Sequence, residues 1–507
     1  MKKLFIFAWG IFLSFTALGQ NMEDAVRFSN KIGLGSARVS AMNGAFTALG
    51  GDPSSISINP AGIGVFRKSE ISITPFIANY SVSSFTKADN TQFRLGELST
   101  VFSYFPPGKY WKNINFGFNY IRLNNFKQNI HQAALNSEKS MTDVFAAQGY
   151  EFNGNEVFII PSDKLPEFAK LAWETYLINS NEKGYYSAIS YIDKEGNIIG
   201  EPVNIYKSTY QEGWSSEYNF SVGANYRDKF YIGACLGIQD IDFEENIDYR
   251  EIGNADVEKS GFDQFVLDQY RSIRGVGANL KLGMIYRPIP EIRIGFSIHT
   301  PTYYNMNYEA KNGIKSWFKK IENNVEKTVF RDKAAELQEY EFDMTTPWRI
   351  NLGLATVIEQ RAIVSLDYGY AEYSGIRFKN ASDNYNYHVE NNDLKHGLTG
   401  VHHLNFGTEF RLTSVFSLRA GYGLISTPYK TEKNENNYNV RQSIAAGFGI
   451  NFGSFYMDMA YMYKFMKDQS VFFSYTDPKD SAYDIYSPIV ENKHRDKSAK
   501  ITFGFRF

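Results

Sequence analysis

The chain is poor in cysteine, in net charge and in long apolar runs. Its 507 residues include one cysteine, Cys235, so no internal disulfide can form and a cysteine-built metal cluster is excluded. Lys and Arg number 53 and Asp and Glu 55, a net charge of −2 that gives no general electrostatic case for nucleic acid. There is no P-loop, no paired histidine at metal-ligand spacing and no Gly-x-Ser-x-Gly elbow, so neither an enzymatic reaction nor a cofactor is expected. Beyond residue 19 no run reaches the ~18 apolar residues of a membrane helix. Residues 1–19 read as a secretory leader. Lys2 and Lys3 precede an apolar stretch from Leu4 to Leu18, and the small Ala17 and Gly19 precede a cut ahead of Gln20. No cysteine follows to carry a lipid, so the chain is expected to pass through a bacterial inner membrane without stopping there.

Aromatic residues are abundant. Phe and Tyr number 41 and 35, although the mean hydropathy of −0.36 is that of a polar protein. The rings recur in strict alternation. Ile444, Ala446, Phe448, Ile450 and Phe452 share one face of a period-two segment, and Ser443, Ala445, Gly447, Gly449 and Asn451 share the other. Fourteen such segments are expected near 69–81, 93–105, 112–125, 214–227, 229–241, 271–287, 290–301, 339–356, 360–373, 400–412, 414–425, 440–453, 454–465 and 497–507. Short turns follow the even-numbered segments. Long loops follow the odd-numbered ones: 82–92, 126–213, 242–270, 302–338, 374–399, 426–439 and 466–496. Outer-membrane barrels carry short periplasmic turns and long external loops. The pattern therefore predicts an all-β fold, a 14-stranded antiparallel transmembrane β-barrel over residues 69–507 with both termini in the periplasm. Apolar sets such as Ile501, Phe503, Phe505 and Phe507 would face lipid. Arg293, Arg349, Asp367, Glu409, Arg419, Asp458 and Lys464 would face the lumen, because a basic side chain at mid-depth in lipid costs ~2–4 kcal/mol.

A wall of this strand number encloses more space than its own side chains fill. Its inner face is glycine-rich (Gly223, Gly233, Gly283, Gly295, Gly407 and Gly421 among others), which makes room for a filler. Residues 20–68 do not alternate and supply it. Ser36 to Leu49 carries Met42, Ala45, Phe46 and Leu49 at helical spacing, with Gly50 and Gly51 as a stop. Asp52–Pro53 and Asn59–Pro60 each read as a cap or turn followed by proline.

The run from Gly35 to Gly62, with Asp52, Pro53 and the triplet Asn59, Pro60 and Ala61 leading into Gly62, resembles the N-terminal hatch of the FadL/TodX/OmpP1 family of outer-membrane transporters. The resemblance extends over the mature chain and implies a mostly helical hatch, or plug, over residues 20–68. It also implies passive uptake of hydrophobic small molecules, long-chain fatty acids foremost, by a monomer in contact with outer-membrane lipid. Ligand would be captured in an external groove and pass a lumenal pocket. It would leave sideways through an opening in the third strand.

The chain carries its own sign of such an opening. Ile114, Phe116, Phe118 and Tyr120 hold the even face of the third strand, but Ile121 and Leu123 stand on the odd face. This parity slip near Asn119–Ile121, with Gly117 beside it, predicts a bulge. In the lumen, Arg293, Arg349 and Arg419 would either meet a ligand carboxylate or pair with Asp367, Glu409 or the hatch, and Phe46 would offer an apolar contact. For the groove, Ile314, Trp317, Phe318 and Ile321 fall on one face if residues 314–329 are helical, and residues 165–177 form a second amphipathic helix. The long loop 126–213 departs from the family pattern. Two alternatives remain from this reading. One is a barrel that handles exported proteins in the manner of type IX secretion. The other is haem uptake through His402 and His403, whose side chains on a strand would face opposite sides of the wall.

Overall fold

Strand pairing closes on itself. The wall strands are β1 (Glu70–Ser83), β2 (Lys87–Tyr104), β3 (Trp111–Asn125), β4 (Val203–Tyr226), β5 (Phe230–Gly253), β6 (Phe262–Ile289) and β7 (Ile292–His299), then β8 (Arg349–Ile358), β9 (Ala362–Glu372), β10 (Gly400–Arg411), β11 (Phe416–Ile425), β12 (Arg441–Asn451), β13 (Phe455–Val471) and β14 (Ile489–Arg506). Each pairs antiparallel with its neighbour in the chain, and β1 closes on β14 from Glu70↔Arg506 to Ser83↔Lys493. The computed structural model describes residues 22–507 apart from 32, 154–155, 183, 193–197, 254–259, 324, 381, 383, 431–437 and 478–483. The expected leader, residues 1–19, lies outside the described residues. No helix among them is long and apolar enough to cross a membrane, which says nothing of strands.

The outward face is an apolar belt. Ile73, Phe220, Leu236, Leu282, Ile294, Leu354, Phe503 and Phe505 are all exposed. In water such a continuous surface would drive aggregation, whereas lipid accepts it. The belt has an upper limit: on β5 the outward set Ile232, Leu236 and Ile238 gives way to Asp240, Asp242 and Glu244. The six short turns fall where the alternation of loop lengths places them.

Several elements differ from the expectation. β4, β5 and β6 run for 24, 24 and 28 residues, although ~9–11 suffice to cross lipid. Much of 242–270 and part of 126–213 are therefore strand, because above the belt the outward positions turn polar while pairing continues. The expected helix at 314–329 is instead a hairpin, Tyr303–Glu322 against Val325–Ala334, turning where Asn323 takes a φ of 52°. Ile314, Ser316 and Phe318 alternate with Lys315, Trp317 and Lys319, a pattern that also fits strand. Ile314 and Phe318 consequently face the opposite way from Trp317 and Ile321, and the four do not form one groove. The segment at 339–356 divides into Gln338–Thr345 and β8, because Pro347 has no N–H for a ladder.

Beyond the belt a small folded unit rests on these long strands. The N-terminal segment contributes α1 (Met22–Ser29), α2 (Ala37–Ala41) and α3 (Ser55–Ile58) below; above lie α4 (Met141–Ala147) and α5 (Glu167–Glu174). α5 falls inside the helix expected at 165–177. Phe145, Phe168, Leu171, Tyr249, Phe265 and Ile314 form one buried core in this unit. Glu251 is buried at the start of α4, where it accepts the Met141 N–H at 2.7 Å and the hydroxyls of Ser140 and Tyr249. Burial outweighs these bonds and pushes its carboxyl up to about 7 from 4.5, with the nearby Asp143 adding in the same direction. The neutral form is thus favoured in the fold. Its stabilisation is fully present below about 4.5 and is lost as pH rises through about 7. Proteolysis of the 126–213 segment is expected to be slower at pH 5 than at pH 8, and Glu251→Gln should flatten that difference. An unchanged pH dependence in the variant would exclude Glu251 as its source.

Candidate functional site

The inner wall is shaped to the N-terminal segment. A Cβ on Gly283 would stand 1.8 Å from Asn59 Oδ1, one on Gly233 2.4 Å from the Pro60 carbonyl oxygen, and one on Gly421 2.5 Å from the Met42 carbonyl carbon. Only a bare backbone lets the segment approach so closely. The motif residues make the local joints. Asn59 donates to the Thr47 carbonyl at 2.7 Å and accepts the Ala61 N–H at 3.1 Å, capping a 3-10 turn over Pro60–Val65 that includes Gly62. Asp52, followed by Pro53, accepts the Ser54 N–H at 3.0 Å and the Ser36 hydroxyl at 2.9 Å. The helix expected over Ser36–Leu49 stops at Ala41, because Asn43 and Gly44 turn to φ of 54° and 79°.

The arginines named from the sequence are all engaged by protein. Arg293 donates to the Leu49 carbonyl at 2.6 Å, and Arg349 donates to the carbonyl of Ser29 and to Tyr373. Arg419 bridges Glu409 at 2.7 Å and Asp458 at 2.5 Å, and Arg38 shares Glu409 at 2.8 Å. Phe46 is buried beneath the Arg38 guanidinium, 5.3 Å from the ring centre.

The third strand behaves differently from the expectation in position but not in kind. From Ile114 to Ile121 its ladders to β2 and β4 are both unbroken. Gly117 lies against Ile56, Asn119 donates to Glu97 and Ser99, Tyr120 meets Tyr218 outside, and Ile121 is buried. The slip comes two residues later: Ser215 pairs with Asn124 and Ser216 with Arg122, leaving Leu123 as the bulge. At the same height β2 bulges at Gly96, and its pairing with β3 starts only at Glu97↔Ile121. Above that point β2 follows β1, and β3 continues into the strand Gln128–Ser137. Gln132 of that strand reaches Ser470 and Asn492 on the far inner wall. The two sheet edges therefore part, leaving a seam. The Leu123 carbonyl, released from the ladder, accepts the Gly33 N–H at 2.7 Å. Gln92 and Asn125 touch across the top of the seam at 3.3 Å.

Behind the seam lies a cavity of about 350 Å³. Its lining joins both lips (Gly96, Arg122 and Leu123) and Phe76 of β1 to Asn30, Gly33 and Leu34 of the N-terminal segment and to Arg441, Met462, Lys464 and Lys500 of the far wall. Lys464 stands opposite Asp496, Lys500 donates to the Gly35 carbonyl at 3.1 Å, and the Arg122 guanidinium covers Trp214 at 5.5 Å. His402 contacts Tyr368 outside, whereas His403 points inward and is half-buried, as the strand geometry requires.

A solved structure of the toluene transporter TodX of Pseudomonas putida superimposes with a TM-score of 0.50 and 11% identity, covering 94% of this chain and 100% of that one. A FadL homologue of Pseudomonas aeruginosa gives 0.53 and 11%, covering 94% and 98%. The chain has the fold of the FadL/TodX barrels. No family model matches the sequence, and no curated protein matches it.

Within this FadL/TodX fold, Gly96, Leu123, Arg441, Lys464 and Lys500 are among the cavity residues that sequence reasoning did not assign to a site. Lys464 was legible as inward-facing. The others depend on where two separate bulges meet. Glu409 is the carboxylate that bonds both Arg38 and Arg419 directly. Glu409→Ala is expected to destabilise by about 3–5 kcal/mol, the cost of stranding buried charge. Hydrogen exchange of the α2 amides should quicken while β4 and β5 keep their protection. Unaltered α2 exchange would show that this network does not hold the segment.

Proposed function

We propose that this chain is an outer-membrane protein that takes up amphipathic hydrophobic molecules passively, long-chain fatty acids foremost, and releases them sideways through the β2–β3 seam. The observation that carries the reading is a cavity lined on one side by the two parted lips and on the other by cations. A hydrocarbon chain suits Phe76, Leu123, Leu34 and Met462. A carboxylate suits Arg441, Lys464 and Lys500; with Arg27, Arg122, Lys127 and Lys497 the lining carries more Lys and Arg than its acids Glu23, Asp468 and Asp496. The volume falls in the roughly 300–1,000 Å³ span of small-molecule sites. Likeness of fold to a toluene transporter supports a hydrophobic cargo, and the cations favour an acid over a bare hydrocarbon.

In this reading residues 20–68 are the plug, both termini are periplasmic, and a monomer suffices. The contact between Gly33 and Leu123 is the latch. Moving Asn30–Leu34 away would join the cavity to lipid, at the cost of a freed Leu123 carbonyl that water or ligand must satisfy. The gate residues are then Gly33, Gly96, Arg122 and Leu123, with Gly117, Asn119, Tyr120 and Ile121 as the intact frame beneath. Capture falls to the external unit above β4–β6, not to a helix at 314–329.

Cells expressing the chain should accumulate labelled oleate faster than cells without it, and more strongly than labelled toluene. Deletion of Leu123, which restores a continuous register with β4, should return oleate uptake to the level of cells lacking the gene while the barrel still assembles. Equal uptake with and without the gene would sink the reading. Full uptake by the deletion variant would leave transport but remove the seam as its exit.

A further inference from the structure

The outward face at the upper edge of the belt is not uniform around the barrel. On β5 it is acidic, through Asp240, Asp242 and Glu244. Across β13, β14, β1 and β2 it is basic. Alternation from the lipid-facing Phe505, Phe503 and Ile501 carries Lys497, Arg495 and Lys493 onto the same outward face of β14. Lys497 stands opposite Tyr463, Arg495 opposite Phe465, and Lys493 opposite Lys467. On the other side the same residues meet Asn79, Ser81 and Ser83 of β1, and β2 brings Lys87 and Asp89 to the end of these rows.

The charges on this face do not cancel. Lys493 and Lys467 share Glu491, at 3.3 and 3.5 Å, and Lys87 holds Asp89 at 2.6 Å. Among the described residues, no carboxylate lies within 4.0 Å of Arg495 or Lys497. Lys467 and Lys493 are like charges directly across a strand pair, and the one carboxylate between them, Glu491, offsets only part of their charge. The small Asn79 and Ser81 leave a shelf beside the unpaired cations. Below the shelf the surface is apolar and aromatic, through Ile73, Ile77, Tyr461 and Phe503. A ligand fitted to this face must be anionic above and hydrocarbon below, and must reach it from the membrane.

We propose that this face binds a phosphate-bearing glycolipid of the outer leaflet. Arg495 and Lys497 would grip the phosphate, Lys467 and Lys493 would assist, and acyl chains would lie along Phe503 and Ile73. A guanidinium offers paired N–H donors to phosphate oxygens, and the lysines add point charge. The site lies on the strands that end at the free lip of β2. It depends on the outer-membrane placement but not on what the lumen carries.

The test uses purified full-length protein in detergent and native mass spectrometry. The probes are diphosphorylated lipid A, its dephosphorylated counterpart and inorganic phosphate as competitor. Wild-type protein should retain the phosphorylated lipid about tenfold better than the dephosphorylated one, the scale of one or two charged hydrogen bonds. Millimolar inorganic phosphate should not displace it. Changing Lys467, Lys493, Arg495 and Lys497 together to Gln should abolish the preference, and Arg495→Gln with Lys497→Gln should reduce it. Heat-modifiable migration shows whether each variant is folded, and the two-lipid comparison on wild-type protein does not depend on any variant. Equal retention of both lipids, displacement by inorganic phosphate, or an undiminished preference in the folded fourfold variant would each overturn the proposal.

Discussion

A sheet that crosses lipid can leave no backbone carbonyl or amide unpaired. Closing the wall through β1 and β14 meets that demand at every strand but raises it again wherever the ladder is interrupted. The interruption between β2 and β3 is tolerated because Gly33 supplies the missing donor to Leu123 from inside. The N-terminal segment is therefore bound to the wall in two ways: it fills volume against the glycine-lined surface, and it completes the hydrogen bonding of a strand it does not belong to.

The same demand organises the lumen. Asn59 meets a carbonyl of its own segment and one of β6, Thr47 donates to Asp367 at 2.6 Å, and Glu409 gathers Arg38 and Arg419. Charges that would be untenable in lipid are kept by pairing across the interface between wall and segment. What remains open is the region above these networks, where the wall parts and Arg441, Lys464 and Lys500 of β12, β13 and β14 line one cavity. The cavity is where the packing stops.

The wall was legible in the sequence because two faces with different solvents impose strict alternation on residues such as Phe448, Ile450, Phe503 and Phe505. Alternation fails as a guide once both faces meet water or protein, which is why the upper parts of β4–β6 and the hairpin around Asn323 read as loop or helix. The motif Asn59–Pro60–Ala61 marked its turn correctly, since proline and a short amide cap leave few local alternatives. The bulge was visible as a parity slip but misplaced by two residues, because a sequence shows that alternation has shifted and not which residue the partner strand skips. The arginines left two readings open for a different reason: inward-facing charge identifies the lumen, but only the packed partner tells a structural ion pair from a free one.

The pairing of β14 has one more consequence. Thr502 accepts the Ala37 N–H at 2.7 Å and Lys500 donates to the Gly35 carbonyl, so the last strand of the chain grips the turn that opens α2. Neither contact exists until the final residues have been synthesised and zipped onto β1. Sealing the cylinder and seating its contents are then one event at the end of biogenesis.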